Sequence, residues 1–223
     1  AMGLPQPRQI FAHGWWILRG QKMSKSLGNV VRPLDLAQVY GVDAFRYFLI
    51  RDMARERDVE FNAQVLAQRY QGELANDLGN LLHRLIHMIG RYCAGKIPES
   101  VESTQAEDAL RQQALDIVDR ALAHVDAVAL DEALDSTMAL VKEINGYLER
   151  TAPWKTFKAG RVDRVASSLY TAAEALRIGA LLLCPVMPQR MGDLWRRLGW
   201  QPTEPLCDGL AWGLLRSGTD VVA

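Results

Sequence analysis

From Asn62 onward the sequence admits one kind of local structure. Tyr70, Leu74, Leu78, Leu81, Leu85, Ile89 and Tyr92 recur at intervals of three and four, which gathers them on one face of a helix ending near residues 95–98. Leu110, Ala114, Ile117, Ala121, Val125 and Val128 define a second helix, and Leu130, Leu134, Val141, Ile144 and Leu148 a third. A fourth runs from Val165 through Leu169, Ala173, Leu176 and Ala180 to Leu183, closed by Cys184-Pro185-Val186-Met187-Pro188. Met191, Leu194, Trp195 and Leu198 form a shorter fifth. Each apolar stripe has to be covered, and five helices with short connections cover one another as a bundle, so the expected fold class is all-α. There is no internal repeat or low-complexity tract, and residues 216–223 read as a frayed tail.

The first 61 residues read differently. Residues 10–18 are rich in β-branched and aromatic types and stop at Arg19-Gly20, which predicts a short strand or hairpin. Short helical patterns follow over residues 33–40 and 43–51, separated by Gly41, with Asp43 as N-cap of the second. His13-Gly14 reads as a structural histidine on the strand. The expected division is therefore 1–61 and 62–223.

Composition narrows the function classes. With 49% apolar and 23% charged residues among 223, the chain can bury a sizeable core. No apolar run reaches membrane-spanning length and no signal-peptide pattern opens the chain. Cys93, Cys184 and Cys207 lie far apart without a Cys-x-x-Cys pair, which reads as a reduced, cytoplasmic protein with no zinc ligands in this chain. The formal net charge is zero, yet its distribution is uneven. Residues 19–57 hold eight Lys/Arg against four Asp/Glu and residues 150–164 five against one, whereas residues 98–143 hold eleven acids against three bases. Basic faces with an acidic arm held aside are compatible with local binding of a phosphate backbone.

Lys22-Met23-Ser24-Lys25-Ser26, followed by Leu27-Gly28-Asn29, is the chemically pointed stretch. Two ammonium groups three positions apart, hydroxyls between them and glycines at Gly20 and Gly28 suit a strap that closes over a polyphosphate. A basic surface turn is the plain alternative. An exact pentapeptide of this kind arises by chance in a chain this long with odds on the order of one in ten thousand.

That pentapeptide resembles the signature loop of class I aminoacyl-tRNA synthetases. Two later stretches, Glu73-Leu74-Ala75-Asn76-Asp77-Leu78-Gly79-Asn80-Leu81-Leu82-His83-Arg84 and Ala152-Pro153-Trp154-Lys155, resemble the anticodon-binding helices of methionyl-tRNA synthetase, and the resemblance covers nearly the whole chain. It implies a five-helix anticodon-binding bundle over 62–223. Ahead of it, 1–61 would carry the signature loop and stem-contact helices left over from an α/β catalytic core. It implies ATP with Mg2+, methionine and tRNA(Met) as the partners of the full-length enzyme. Lys25, assisted by Lys22, would stabilise charge developing on the departing phosphates during methionine activation. Ser24 and Ser26 either touch ATP or shape the loop by local hydrogen bonds, and Met23 is an apolar peg beneath it.

The resemblance assigns anticodon reading to Asn80, Arg84 and Trp154. Asn80 and Arg84, four apart, project side by side and can address the Watson–Crick edge of an unstacked base; the alternative is a solvated polar face. Trp154, followed by Lys155, Lys158, Arg161 and Arg164, is either a stacking platform or a tryptophan packed at a helix junction. Trp195, Trp200 and Trp212 lack such a basic escort and read as packing residues. Arg46, Arg51, Arg55 and Arg57 could line the inside of the tRNA bend unless Asp52, Glu56 and Asp58 pair with them. The second class I signature, a His-x-Gly-His type turn, is not in this sequence, so the chain is expected to be catalytically inactive alone. A helical interaction scaffold that kept synthetase sequence is the competing reading, and another class I synthetase a third.

Overall fold

The computed structural model describes residues 3, 6, 10–24, 26–53, 57–101, 103–203 and 206–222. It is mostly helical, with one small three-stranded sheet near the N-terminus. Strand β1 (Trp16–Leu18) turns back into β2 (Gln21–Lys22), with Ile17 opposite Lys22, and pairs in parallel on its other edge with β3 (Val59–Glu60). The connecting residues Arg19 and Gly20 both take positive φ (55° and 70°), the backbone that closes a two-residue hairpin. The Glu60 carboxylate fastens this turn by accepting the N–H groups of Arg19 and Gly20. A Cβ on Gly14 would lie 1.8 Å from the Arg57 carbonyl oxygen, so only glycine lets these backbone segments pass. The strand is shorter than the sequence suggests. His13 precedes it in an exposed, non-strand segment and makes a 2.7 Å Nδ1 contact with the Gly14 carbonyl.

Helices α1 (Pro33–Tyr40) and α2 (Val42–Arg51) follow, with Pro33 at the first turn of α1, where its missing N–H costs nothing. Together with the sheet they enclose a small aromatic core. Trp16, Phe48 and Phe61 meet there with ring centroids 5.4–6.2 Å apart, and Met23 and Leu66 pack against them. Asp43 does not cap α2. Gly41 stands at that cap, while the Asp43 carboxylate, buried, accepts the backbone N–H of Arg190 at 2.7 Å, 147 residues away.

The stripe from Tyr70 to Tyr92 lies on one continuous helical run whose middle is not α-helical: α3 (Ala63–Arg69) passes into a π-helix (Tyr70–Gly79) and then α4 (Asn80–Tyr92). The Asn80 N–H reaches back five residues to the Ala75 carbonyl, and the Leu74 carbonyl would lie 3.2 Å from a Cβ on Gly79. The wide turn is thus accommodated where a side chain would crowd it. The remaining helices are α5 (Gln105–Asp126), α6 (Leu130–Thr151), α7 (Pro153–Lys158), α8 (Val162–Leu183) and α9 (Pro188–Arg197). Helix α7 is too short to show periodicity.

Helix α8 is the axis of the assembly. Its alanine-rich sequence lets α4, α5, α6, α7 and α9 pack around it, and most of its residues, Ala172, Ala173, Ala175 and Ala180 among them, are sealed from solvent. A capping box starts α5, with the Thr104 hydroxyl and N–H both bonded to the Glu107 carboxylate. The C-terminal tail is not frayed as expected. Ile97 donates to Thr219 and Gly218 to Ile97, Val221 donates to Gly95 and Val222 to Arg197, so the tail pairs with the loop after α4 and the end of α9. Trp195, Trp200 and Trp212 pack against the core, but Trp200 does have a cationic escort: the buried Arg177 guanidinium lies 4.8 Å from its ring.

Candidate functional site

The segment around residue 25 is a tight loop fastened by its own side chains. Asn29 accepts the Ser24 N–H at 2.8 Å and donates to the Lys22 carbonyl at 3.3 Å, so the two ends of the loop are tied through one amide. The Ser24 and Ser26 hydroxyls share a hydrogen bond of 2.8 Å, and Gly28 takes a positive φ of 64° with open space where a side chain would stand. Lys22 is exposed on β2, with its ammonium 3.4 Å from the centre of the Trp15 ring. Lys25 lies outside the described residues, as do Arg55 and Glu56. Asn29 is the residue that sequence reasoning passed over. The signal was its place at the end of the motif, where an amide bridging back five to seven residues closes a loop.

Along α4 the polar residues stand on the side away from the core. Asn76, Asn80, His87 and Arg91 are exposed, His83 and His87 stack with rings 6.4 Å apart, and Arg84 is about one third exposed. Arg84 is not a free side chain. Its guanidinium donates to the Glu149 carboxylate and, at 3.1 Å, to the Asn145 side-chain oxygen, both on α6. Asn145 in turn donates to the Asp77 carbonyl at 3.0 Å, which ties the π-helix to α6. Glu149 and Asn145 therefore fix the direction of the Arg84 fork, with Asn80 one turn away on the same helix.

Trp154 sits in the first turn of α7, immediately after Ala152, whose left-handed backbone (φ 42°) ends α6, and Pro153. Trp154 is half-buried and packs against the helical core, as the junction reading describes. The C-terminal end of α4 meets α7 through Tyr92 and Phe157, 4.6 Å apart. Helix α4, which carries Asn80 and Arg84, thus adjoins α6 at Arg84 and, eight residues further on at Tyr92, α7, which carries Trp154. Lys155, Lys158 and Arg161 are exposed beside the tryptophan. Arg164 is not available with them, because it bonds to Glu107 at 3.2 Å and to the Thr104 hydroxyl at 3.3 Å.

The arginines ahead of the bundle also have structural work. Arg46 donates to the carbonyls of Pro185 and Val186 at 2.8 Å each, and with Asp43 it clamps the turn that starts α9. Arg51 binds Asp135 of α6, and its Nε lies 3.5 Å from Glu73. Asp52 pairs with Arg69 and Asp58 accepts the Trp15 N–H, so neither neutralises the arginine that precedes it. Of this group Arg57 stays exposed.

Glu73 joins α2 to the π-helix. It accepts the Tyr47 hydroxyl at 2.6 Å and an Arg69 N–H at 2.7 Å. Burial pushes the Tyr47 phenol far above its usual range and the neighbouring carboxylate pushes it further. Burial alone would raise the Glu73 carboxyl, but the Tyr47 hydroxyl, Arg51 and Arg69 outweigh it and hold the group below the usual carboxylate range. Only the Arg69–Glu73 pair, four residues apart, carried a sequence signal for this network.

A short sheet next to a loop of ammonium and hydroxyl groups, joined through a clamped pair of helices to a helical assembly with an exposed polar face, matches part of a class I tRNA synthetase. Residues 1–86 match the family model described as tRNA synthetases class I (M), and residues 97–212 match the anticodon binding domain of methionyl tRNA ligase. The chain belongs to the methionyl-tRNA synthetase family. The methionine–tRNA ligase of Thermotoga maritima is 37% identical over 223 residues, which is 100% of this chain and 35% of that protein. That of Streptomyces coelicolor is 38% identical over 236 residues, 99% of this chain and 43% of the relative. The crystal structure of Mycobacterium tuberculosis methionyl-tRNA synthetase bound by methionyl-adenylate superposes with a TM-score of 0.89 at 35% identity, covering 99% of this chain and 44% of that one. The chain thus spans about a third to under half the length of these relatives. Among the described residues no helix is long and apolar enough to cross a membrane.

Proposed function

We propose that this chain is the part of a methionine–tRNA ligase that carries the phosphate strap and reads the anticodon. In the full-length enzyme the methionine carboxylate attacks the α-phosphate of ATP and pyrophosphate leaves. Lys25, assisted by Lys22, then meets charge that exists only as the bond breaks, which is differential binding of the transition state. The loop's exposed ammonium and hydroxyl groups are the donor set that phosphate oxygens require, and Mg2+ would enter with the triphosphate. Asn29, by joining the loop's ends, lets the strap move as one piece.

The division we propose is 1–61 for the strap and stem-contact segment and 62–223 for a five-helix anticodon-binding bundle. The observation that carries the reading is Arg84: an arginine on an otherwise exposed stripe whose guanidinium is held from α6 by Glu149 and Asn145. The two acceptors orient the fork while leaving it about one third exposed, and an oriented fork loses less entropy when it engages a base edge. Trp154, with part of its ring covered and a basic run beside it, supplies the stacking partner for an unstacked loop nucleotide of tRNA(Met).

The test is titration of the purified chain with an anticodon stem-loop bearing CAU and with loops in which each base is changed, at physiological salt. We expect the CAU loop to bind more tightly by about 1–3 kcal/mol per lost contact. Equal affinities, falling together as salt rises, would replace this reading with sequence-indifferent backbone binding.

A further inference from the structure

Between α2 and the helical assembly lies a cleft of about 330 Å3 whose lining includes neither the strap nor Asn80 and Arg84, though His83 of α4 reaches it. Leu74, Leu78 and Leu82 line one wall, and Met191 and Leu194 of α9 the other. Tyr40 and Tyr70, which meet edge to face at 5.4 Å, also line it. The arginines Arg190 and Arg197 stand on the lining, both exposed and seven residues, or about two turns, apart on α9. Among the described residues neither side chain has an acceptor, whereas Asp193, the acid on that lining, is bonded to Arg196.

Three independent features converge here. The volume is that of a small-molecule site rather than a packing defect, and its lining is apolar with a few polar groups, as such sites require. One wall is the π-helix, a backbone form that is rare and concentrates at functional positions. The charge is one-sided: two unpaired guanidinium forks, with the neighbouring acid neutralised.

We propose that this cleft binds a small aromatic anion, a one- or two-ring apolar body carrying a phosphate or carboxylate. The ring lies on the leucine and methionine walls against Tyr40 and Tyr70, and the anion is taken by Arg190 and Arg197. Two cations at one site suit one anionic group; a nucleic-acid strand would need a continuing row of them, and the adjacent Arg196 is already engaged. An occupant would touch α2, the π-helix and α9 at once and so stiffen the seam between the N-terminal segment and the helical assembly.

The probe is 1-naphthyl phosphate, titrated into the whole chain by calorimetry and followed by ligand-observed NMR, with 1-naphthol as the neutral control. Saturable one-to-one binding is expected, at least tenfold tighter than 1-naphthol. The double substitution Arg190→Gln, Arg197→Gln should weaken it at least tenfold while circular dichroism and the thermal midpoint of the free chain stay unchanged. Ala75→Phe, which fills the cleft from the π-helix, should abolish binding, and Ala44→Phe from α2 does the same job if the first variant fails to fold. Non-saturable uptake, equal affinity for 1-naphthol, or indifference to the arginine pair would overturn the proposal. So would a CAU stem-loop and a scrambled stem-loop that both displace the probe and both bind the arginine variant less well, because the cleft would then belong to RNA. None of these outcomes bears on the preference for CAU over other loops, which is read at Asn80, Arg84 and Trp154.

Discussion

Glu174 and Arg177, three residues apart on α8 and both fully buried, hold each other through two hydrogen bonds of 2.7 and 3.0 Å. The carboxylate also accepts the N–H groups of Gly213, Leu214 and Leu215, and the guanidinium donates to the carbonyls of Gly209 and Ala211. The pair thereby satisfies backbone groups at the end of a short 3-10 helix (Leu206–Leu210) and in the irregular segment that follows it. Replacing Glu174 with Ala leaves a guanidinium buried without its counter-charge and three amides without an acceptor. We expect a loss of about 3–5 kcal/mol by urea titration, with new protease cleavage between residues 206 and 222. Unchanged stability would show that the segment is held by apolar packing alone.

Glu107 contributes a pH-dependent share of stability. Burial on its own would raise this carboxyl, but hydrogen bonds from the Thr104 hydroxyl, the Tyr147 hydroxyl and the Thr104 N–H, with the charge of Arg164, hold it at about 2. A carboxyl held lower in the folded than in the unfolded chain stabilises the fold above its unfolded value, near 4.5. That contribution, on the order of 3 kcal/mol, disappears as the pH falls from there toward 2. Glu107→Gln should therefore be less stable than the parent at pH 7 and close to it near pH 2, as chemical denaturation at the two pH values would reveal.

Arg84→Ala and Trp154→Ala separate recognition from folding. Arg84 is paired at the surface, so its truncation should change stability by no more than about 1 kcal/mol while weakening the CAU loop by about 1–3 kcal/mol. Trp154 is half-buried, and its truncation should cost about 1–2 kcal/mol of stability as well as affinity for the loop. Paired thermal melts and stem-loop titrations check both. If Trp154→Ala loses stability but binds CAU as before, the ring is a packing residue only.

Lys25→Ala, made in the full-length enzyme, should lower kcat for methionine-dependent pyrophosphate exchange with a modest change in methionine KM, because the ammonium acts on charge that develops in the transition state. The chain by itself should show no exchange, since it holds no His-x-Gly-His type turn to bed the triphosphate. A kcat unchanged by Lys25→Ala would remove that residue from its role.

What the sequence determined is whatever depends on near neighbours. Spacings of three and four placed the helical stripes from Tyr70 to Leu198, because turn geometry is a property of adjacent residues. Lys22 to Ser26 announced a loop of ammonium and hydroxyl groups, and the short Ser24–Ser26 bond is likewise a local matter. Asn80 and Arg84 were placed on one face because they are four apart.

Tertiary structure alone decided which polar groups remain free. Arg46, Arg51 and Arg164 all read as surface cations, yet their acceptors come from Val186, Asp135 and Glu107, separated from them by 140, 84 and 57 residues. Asp43, suited to cap its own helix, serves α9 instead, and a tail without periodicity is held by backbone pairing and by the Glu174–Arg177 pair. No local pattern encodes these choices. A hydrogen bond between distant residues exists only once packing has brought donor and acceptor within about 3 Å in a place that water has left.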